Sequence, residues 1–431
     1  MSDGERIRGV LRDHIQQYFR SEAWSAAADA PAGTVPLMIP PYGAAEVWEA
    51  LESLLDGQVT MGGKVARFEQ DFAAYIGVRH AVMVNSGSSA NLLALAVLAS
   101  PEQAAPLRPG DEVITPAVTW ATTVWPIIQH GLVPVLVDVD RETFNIDAAQ
   151  IEGAITPRTR AILVVHLLGQ PCAMDAIVEI ARRRQLHLIE DACEAHGAEH
   201  RGRRVGSFGA LATFSFFFSH HITTVEGGML VTDDDALASR ARAMRVFGWS
   251  RAYDSPGAIS AAHPEIDPRY LFPAIGYNLR PTELQGAFGI HQLPRLDGYL
   301  DGRRANAAYW AERIESLSPH LRVQREPEAG RHAWFGYPLT VLPNDRFTRD
   351  QLARSLEARG IETRPIMAGN IAEQPALRDH VHRVHGPLTN ARFVHRQALF
   401  IGNHHGVGQA ERAAVVEAIA EFVRTRGANA A

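Results

Sequence analysis

Ser215 and His220 stand five residues apart in Phe214-Ser215-Phe216-Phe217-Phe218-Ser219-His220-His221-Ile222-Thr223-Thr224, which runs into Glu226-Gly227-Gly228. Across a tight turn, a hydroxyl can bind phosphate while an imidazole moves protons near neutral pH. The plainer reading of the same residues is a structural histidine pair. Asn85-Ser86-Gly87-Ser88-Ser89-Ala90-Asn91 precedes an apolar run over 92–98. Small hydroxyl residues and glycine at a helix start expose backbone N–H groups that suit a phosphate dianion, although an ordinary N-cap uses the same types. Glu190-Asp191-Ala192-Cys193-Glu194 closes another apolar run. Asp191 there can keep a ring nitrogen protonated, or act as a buried capping carboxylate. Trp120, in Thr119-Trp120-Ala121-Thr122-Thr123, can stack on a flat ring or fill a core.

Taken together, these pieces describe a turn and cradle for pyridoxal phosphate, with one substitution. That cofactor is ordinarily anchored on a lysine amine, and the turn carries histidine instead. The forty-two basic residues comprise forty-one arginines and one lysine, Lys64, far upstream in Gly62-Gly63-Lys64. Arginine stays protonated and cannot form an imine. An ordinary aminotransferase cycle is therefore blocked, unless Lys64 reaches the site as a displaced anchor.

The elements that must position these residues follow from periodicity. Ile7, Val10, Leu11, Ile15, Tyr18 and Phe19 repeat at helical spacing over residues 5–20, predicting an amphipathic helix. A loose Ala/Pro/Gly segment (26–41) and a second helix over 44–55 follow. Short apolar runs at 81–85, 112–115, 133–138, 161–166, 187–191, 212–216 and 229–232 alternate with helical stretches such as 175–184 and 235–246. That alternation predicts an α/β domain whose largely parallel, seven-stranded sheet is covered on both faces. Residues 283–316 read as helices, and 334–341, 349–359, 361–366 and 411–424 as a smaller α+β domain. The expected units are an N-terminal helical extension (1–60) packing on the small domain, a large cofactor-binding domain (61–295) and a small C-terminal domain (296–431).

Bulk properties narrow the field. With 431 residues, 46% of them hydrophobic, the chain can bury a large core. A net charge of −6 with mixed signs supplies no basic field for nucleic acid. Two cysteines, Cys172 and Cys193, are too few for a disulfide framework or a four-thiolate cluster. The N-terminus lacks an apolar leader and no run is long enough to span a bilayer, so a cytoplasmic protein without membrane contact is expected.

The strings in this order resemble the sugar-aminotransferase-like family of pyridoxal-phosphate enzymes, a branch of the aspartate aminotransferase fold (fold type I). The resemblance runs from about Thr60 to His405. It includes Thr60-Met61-Gly62, Ser86-Gly87-Ser88-Ser89-Ala90, Val165-His166-Leu167-Leu168-Gly169-Gln170-Pro171, Glu190-Asp191-Ala192 and Gly276-Tyr277-Asn278-Leu279-Arg280-Pro281. Within the family, His220-His221-Ile222-Thr223 looks like the branch that removes the C3 hydroxyl of a nucleotide-linked 4-keto-6-deoxyhexose; Ala368-Gly369-Asn370 and Phe400-Ile401-Gly402 are similar to that branch too. Some members carry an iron–sulfur (2Fe–2S) cluster on a cysteine-rich loop. The corresponding segment, residues 247–257, has no cysteine, which implies no cluster. Val225 replaces a frequent glycine, and Glu194 stands where related aminotransferases place glutamine near the cofactor's phenolic oxygen.

The resemblance implies roles by position. Asp191 pairs with the pyridine nitrogen, Trp120 stacks on the ring, and Ser88, Ser89 and Ser215 hold the phosphate. Asn278 reaches the cofactor phosphate of a neighbouring subunit, implying a homodimer with shared sites. His220 is the catalytic base of a cycle that rests in the pyridoxamine phosphate form and is restored by glutamate, without a reductase. Arg251, Arg269 and Arg364 are candidates for the substrate diphosphate, or surface arginines. Other readings stay open: a lysine-free sugar aminotransferase, a dehydrase for a sugar embedded in an antibiotic, or an inactive homologue kept as a partner subunit.

Overall fold

A computed structural model describes residues 2–428. All seven runs expected as strands are strands, displaced by no more than two residues. They belong to one sheet in the order His80–Val84, Gly228–Thr232, Leu211–Ser215, His187–Asp191, Thr159–Val165, Glu112–Pro116, Val133–Val137, Arg383–His385. Gly228–Thr232 is antiparallel to both neighbours, and every other pairing is parallel.

The sheet thus has eight strands rather than the expected seven. Arg383-Val384-His385 carries no apolar run to announce it. Its register beside Val135–Val137 is fixed by Arg383, whose Nη2 donates to Oε2 of the fully buried Glu112 at 3.0 Å. The segment assigned to the small domain therefore sends one strand back into the large sheet.

Alternation along the strands sorts side chains to two faces. Val113, Leu136, Leu163 and Ile189 pack against the helices Gly87–Ala99, Ala121–Gln129 and Asp235–Arg245. Ile114, Val135, Ile162, Val164 and Leu188 face Ala148–Ala154 and Met174–Arg184. The small unit is an antiparallel sheet ordered Leu321–Val323, Gly336–Val341, Ala398–Gly402, Thr363–Pro365, with Leu296–Ile314, Arg349–Glu357 and Gln409–Ala428 packed around it.

The N-terminal extension touches both units. Helix Asp3–Phe19 opens with a Ser2/Glu5 capping box and lies on Ala44–Leu55, which packs on Glu283–Gln292. These helices rest against residues expected in the large domain. Contact with the small unit runs through residues 34–39: Val35 N–H donates to Gly360 O at 2.9 Å and its carbonyl accepts from Glu362 N at 2.8 Å, Leu37 N donates to Glu362 Oε2 at 2.8 Å, and His404 Nε2 lies 3.1 Å from Pro36 O. Among the described residues, no helix is long and apolar enough to cross a membrane.

Candidate active site

A cavity of about 590 Å³ opens where parallel strands end and the small unit meets the large one, the usual ligand position in open α/β sheets. Its wall includes Ser86, Ser88, Trp120, Asp191, Glu194, Ser215 and His220 from the large unit, and Phe335, Arg364 and Phe400 from the small one.

Asp191 is the last residue of its strand, on the face that carries the helices Gly87–Ala99 and Ala121–Gln129. Its Oδ2 accepts from Asn91 Nδ2 at 2.8 Å and Thr123 Oγ1 at 2.7 Å. Oδ1 accepts from the backbone N–H of Cys193, at 3.2 Å. Thr213 donates to Asn91 Oδ1 (2.6 Å) and Thr119 to Thr123 Oγ1 (2.9 Å), so the carboxylate is braced through both supports. Glu190, one residue earlier, points to the opposite face and accepts from Gly206, Phe208 and Gly209 N–H groups. Asn91 and Thr123 received no role from the sequence; an amide one turn inside an apolar helix start was the signal for the first.

The anion end is built from two close-packed segments. Ser86 caps the helix Gly87–Ala99 by accepting from Ser89 N at 3.1 Å. Ser88 Oγ donates to Thr122 Oγ1 at 3.1 Å. The strand Leu211–Ser215 ends against this helix start: a Cβ on Gly87 would lie 2.5 Å from Ser215 Cβ, and one on Gly228 only 2.2 Å from Ser86 O. Ser89 does not line the cavity; its hydroxyl is taken by Ser86 Oγ at 3.0 Å, and Ser86 stands in the wall instead.

Between Ser215 and Gly228 the chain forms a closed turn. Phe216 N donates to Gly227 O (2.9 Å) and Thr224 N to Phe216 O (3.0 Å), while Thr223 Oγ1 accepts from Val225 N (2.9 Å) and donates to Phe216 O (3.1 Å). Its rim carries His220 into the cavity wall. His221 turns away, fully buried, with Nε2 3.0 Å from Ala333 O. Among the described residues, His220 Nδ1 is buried without a hydrogen-bond partner, and the ring meets Phe335 edge-on at 5.2 Å.

Electrostatics set the protonation states. Burial, reinforced by the nearby Arg303 charge, holds the His220 imidazole down to about 3, so it is neutral at physiological pH. Arg303 is itself buried, with Nη1 donating to Trp334 O, Phe335 O and Asn403 O. Glu194 moves the other way: burial pushes its carboxyl up to about 8 against the Leu168 N–H it accepts at 2.8 Å, with Asp191 adding to the rise.

Three predicted residues lie elsewhere. Asn278 is exposed outside the cavity, its Oδ1 accepting from Arg280 Nε at 3.1 Å. Arg269 is tied to Asp267 at 2.7 Å and Arg251 lies over Trp249 at 5.0 Å; neither lines the wall. Lys64 is also outside, its Nζ 2.8 Å from Glu49 Oε1 and donating to Glu49 O at 2.6 Å. The single lysine is thus committed away from the cavity, against a role as displaced anchor.

The chain is similar to GDP-4-keto-6-deoxy-D-mannose 3-dehydratase of Yersinia pseudotuberculosis, 40% identical over 360 residues, covering 82% of this chain and 90% of that protein. It is 41% identical over 388 residues to dTDP-4-dehydro-2,6-dideoxy-D-glucose 3-dehydratase of Saccharopolyspora spinosa, covering 86% and 83% respectively. The fold superposes on a crystal structure of GDP-4-keto-6-deoxymannose-3-dehydratase with a trapped PLP–glutamate geminal diamine, with TM-score 0.80, 35% identity, and coverage of 90% of this chain and 100% of that one. Matching over residues 42–420, the chain belongs to the DegT/DnrJ/EryC1/StrS aminotransferase family.

Proposed function

We infer that the protein is a pyridoxamine-phosphate-dependent 3-dehydratase acting on a nucleotide-linked 4-keto-6-deoxyhexose, with glutamate as amino donor. The carrying observation is a neutral histidine in the wall of a cavity from which the only lysine is withheld. The residues fit the cofactor. The capped helix start with Ser86, Ser88 and Ser215 suits its phosphate, Trp120 offers a ring face at 56% exposure, and the lightly engaged Oδ1 of Asp191 suits the ring nitrogen. When bound, that cofactor supplies a primary amine and a ring that accepts an electron pair.

The chain's own groups supply the rest. Ser86, Ser88 and Ser215 hold the phosphate without any covalent tether. Asp191, braced by Asn91 and Thr123, keeps a proton on the ring nitrogen. His220, unprotonated at rest, takes a proton from carbon and delivers it to the departing C3 hydroxyl. Leu37, Phe335 and Phe400 line the wall with apolar surface that excludes water. Atoms and electrons balance without an external reductant: sugar and glutamate give the 3-deoxy sugar, 2-oxoglutarate and ammonia.

The proposed working unit is a homodimer, in which Asn278 reaches the partner's cofactor phosphate. Its neighbour Ile275 is 93% exposed and Tyr270 71% exposed, an apolar surface suited to burial by a second copy. The two free cysteines suit a cytoplasmic setting. The test is turnover of purified protein with pyridoxamine phosphate, glutamate and GDP- or dTDP-linked 4-keto-6-deoxyhexose. One ammonia and one 2-oxoglutarate per deoxygenated sugar are expected. Nitrogen retained in the sugar, or dependence on an added flavin or iron–sulfur reductase, would overturn the reading.

A further inference from the structure

The turn that carries His220 is held from outside at few points. Among the described residues, two hydrogen bonds tie residues 216–224 to parts of the chain beyond the turn: His221 Nε2 lies 3.0 Å from Ala333 O, and Thr223 N donates to Gln292 Oε1 at 3.2 Å. Gln292 closes the helix Glu283–Gln292 and is fully buried. Its Nε2 donates to Pro41 O at 2.8 Å and to Glu46 Oε1 at 2.7 Å, both in the N-terminal extension. We propose that Gln292 is a positioning residue for His220, joining the turn to the N-terminal extension so that the imidazole keeps one place in the cavity wall. The proposal rests on the functional reading above and adds to it the element that aims the base.

The chemistry of the link is specific. Thr223 N is a donor, whereas Pro41 O and Glu46 Oε1 are acceptors, so the site needs one oxygen and two N–H groups on a single side chain. A primary amide supplies that set; a carboxylate or an apolar chain does not. The supports are themselves fixed. Glu46, fully buried, accepts from Gly43 N at 2.9 Å and pairs with Arg295 at 2.9 Å, and Tyr299 donates to Pro41 O at 3.1 Å. A second contact runs beside the first. The ring of Tyr42 lies 6.3 Å from Phe218, two residues before His220, and 5.5 Å from Phe288 on the helix that ends in Gln292. Trp24 stands 5.7 Å from the same ring. The two contacts thus bracket His220, at Phe218 and at Thr223. Satisfied buried polar groups and packed rings select a single arrangement. A base acts only within reach of the proton it moves, and a displacement of about 1 Å can lower a rate about a hundredfold. Packing an extension onto a domain stabilises any fold, but that role alone leaves the rate at saturation unchanged.

The experiment compares wild-type protein with Gln292→Met, Tyr42→Ala and Tyr42→Phe. In one arm, protein loaded with pyridoxal phosphate is mixed with L-glutamate, and the cofactor's absorbance change in a single turnover gives a limiting rate and a half-saturating concentration. In the other, hydrogen–deuterium exchange of the same loaded protein is read by mass spectrometry on peptides covering residues 216–224. Gln292→Met and Tyr42→Ala are expected to lower the limiting rate about tenfold or more and to speed exchange across the turn. The half-saturating glutamate concentration and the affinity for pyridoxal phosphate should stay at their wild-type values. Tyr42→Phe keeps the ring and should restore most of the rate. If Gln292→Met loses cofactor affinity, its fold is damaged and the Tyr42 pair decides. Faster exchange with an unchanged limiting rate overturns the positioning role, and so does unchanged exchange in both Gln292→Met and Tyr42→Ala. Either result leaves the functional reading standing. Wild-type protein that binds pyridoxal phosphate yet never reacts with glutamate sinks the functional reading; faster exchange in the variants would then still uphold the link between Gln292 and the turn, and unchanged exchange would remove it.

Discussion

His220 and His221 are chemically identical neighbours with opposite environments. His220 lines the cavity, while His221 turns into the core with Nε2 3.0 Å from Ala333 O, 112 residues away. Replacing the first should therefore change chemistry, not architecture. His220→Lys places a primary amine in the wall where the native chain has none. After incubation with pyridoxal phosphate and borohydride, peptide mapping should find the cofactor mass on residue 220, with 3-dehydration reduced about 100-fold or more, as expected for loss of a positioned base. Unchanged dehydration in a variant so labelled would remove His220 from the reaction. The turn motif made the histidine pair legible in the sequence. The choice of His220 over His221 was read from its spacing to Ser215 and from the resemblance; that His221 is engaged by Ala333 was not legible. Asp191 was legible for the same reason as His220, as an acid closing an apolar run. Its braces Asn91 and Thr123 were not assigned: the position of Asn91 one turn inside an apolar helix start is a signal without a partner, and Thr123 is recognised only once two helix starts converge on one strand end.

At the scale of elements, the turn between Leu211–Ser215 and Gly228–Thr232 holds a backbone cost. Val225 has φ 69°, a left-handed conformation that is a clear outlier for a β-branched residue. The turn's hydrogen bonds through Thr223 and Phe216 impose it. Val225→Gly removes the side-chain clash while adding backbone entropy to the unfolded chain, and the first effect is the larger. The variant is expected to gain about 1 kcal/mol in chemical denaturation. A loss of stability would mean that Val225, 49% exposed, contributes packing that outweighs its strain. The seven apolar strands announced themselves by composition, and so did the helices between them. Arg383–His385 did not, because its place depends on an ion pair to Glu112, 271 residues earlier, rather than on its own hydrophobicity. The helix Asp3–Phe19 was legible as a helix, but not its support on Ala44–Leu55, which only three-dimensional packing reveals.

For the whole molecule, the junction of the two units carries an unusual charge pattern that governs stability in acid. Arg303 is buried there among carbonyls, and burial together with its charge holds His220 and His404 down to about 3 and His405 to about 4. His196, His221 and His332 are also pushed well below the ordinary imidazole value by burial, with further lowering from nearby arginines. Each of these groups is neutral in the folded protein and protonated in the unfolded chain below about pH 6.5. The unfolded state then binds more protons, so stability falls as pH drops from about 6.5 toward these lowered values. Glu194 opposes this between about 4.5 and 8, because its raised carboxyl keeps a proton that the unfolded chain has released. One carboxyl cannot offset several histidines, and the salt-bridged carboxylates with lowered values begin to lose stability only below about pH 4.5. The interval from pH 6.5 to 5 therefore isolates the histidines. The urea midpoint of cofactor-free protein should fall steadily across it, and the double variant His404→Gln/His405→Gln should flatten that fall. A midpoint constant from pH 7 to 5 would mean that water reaches these imidazoles, and that the junction is not the dry, positively charged core on which a neutral His220 depends.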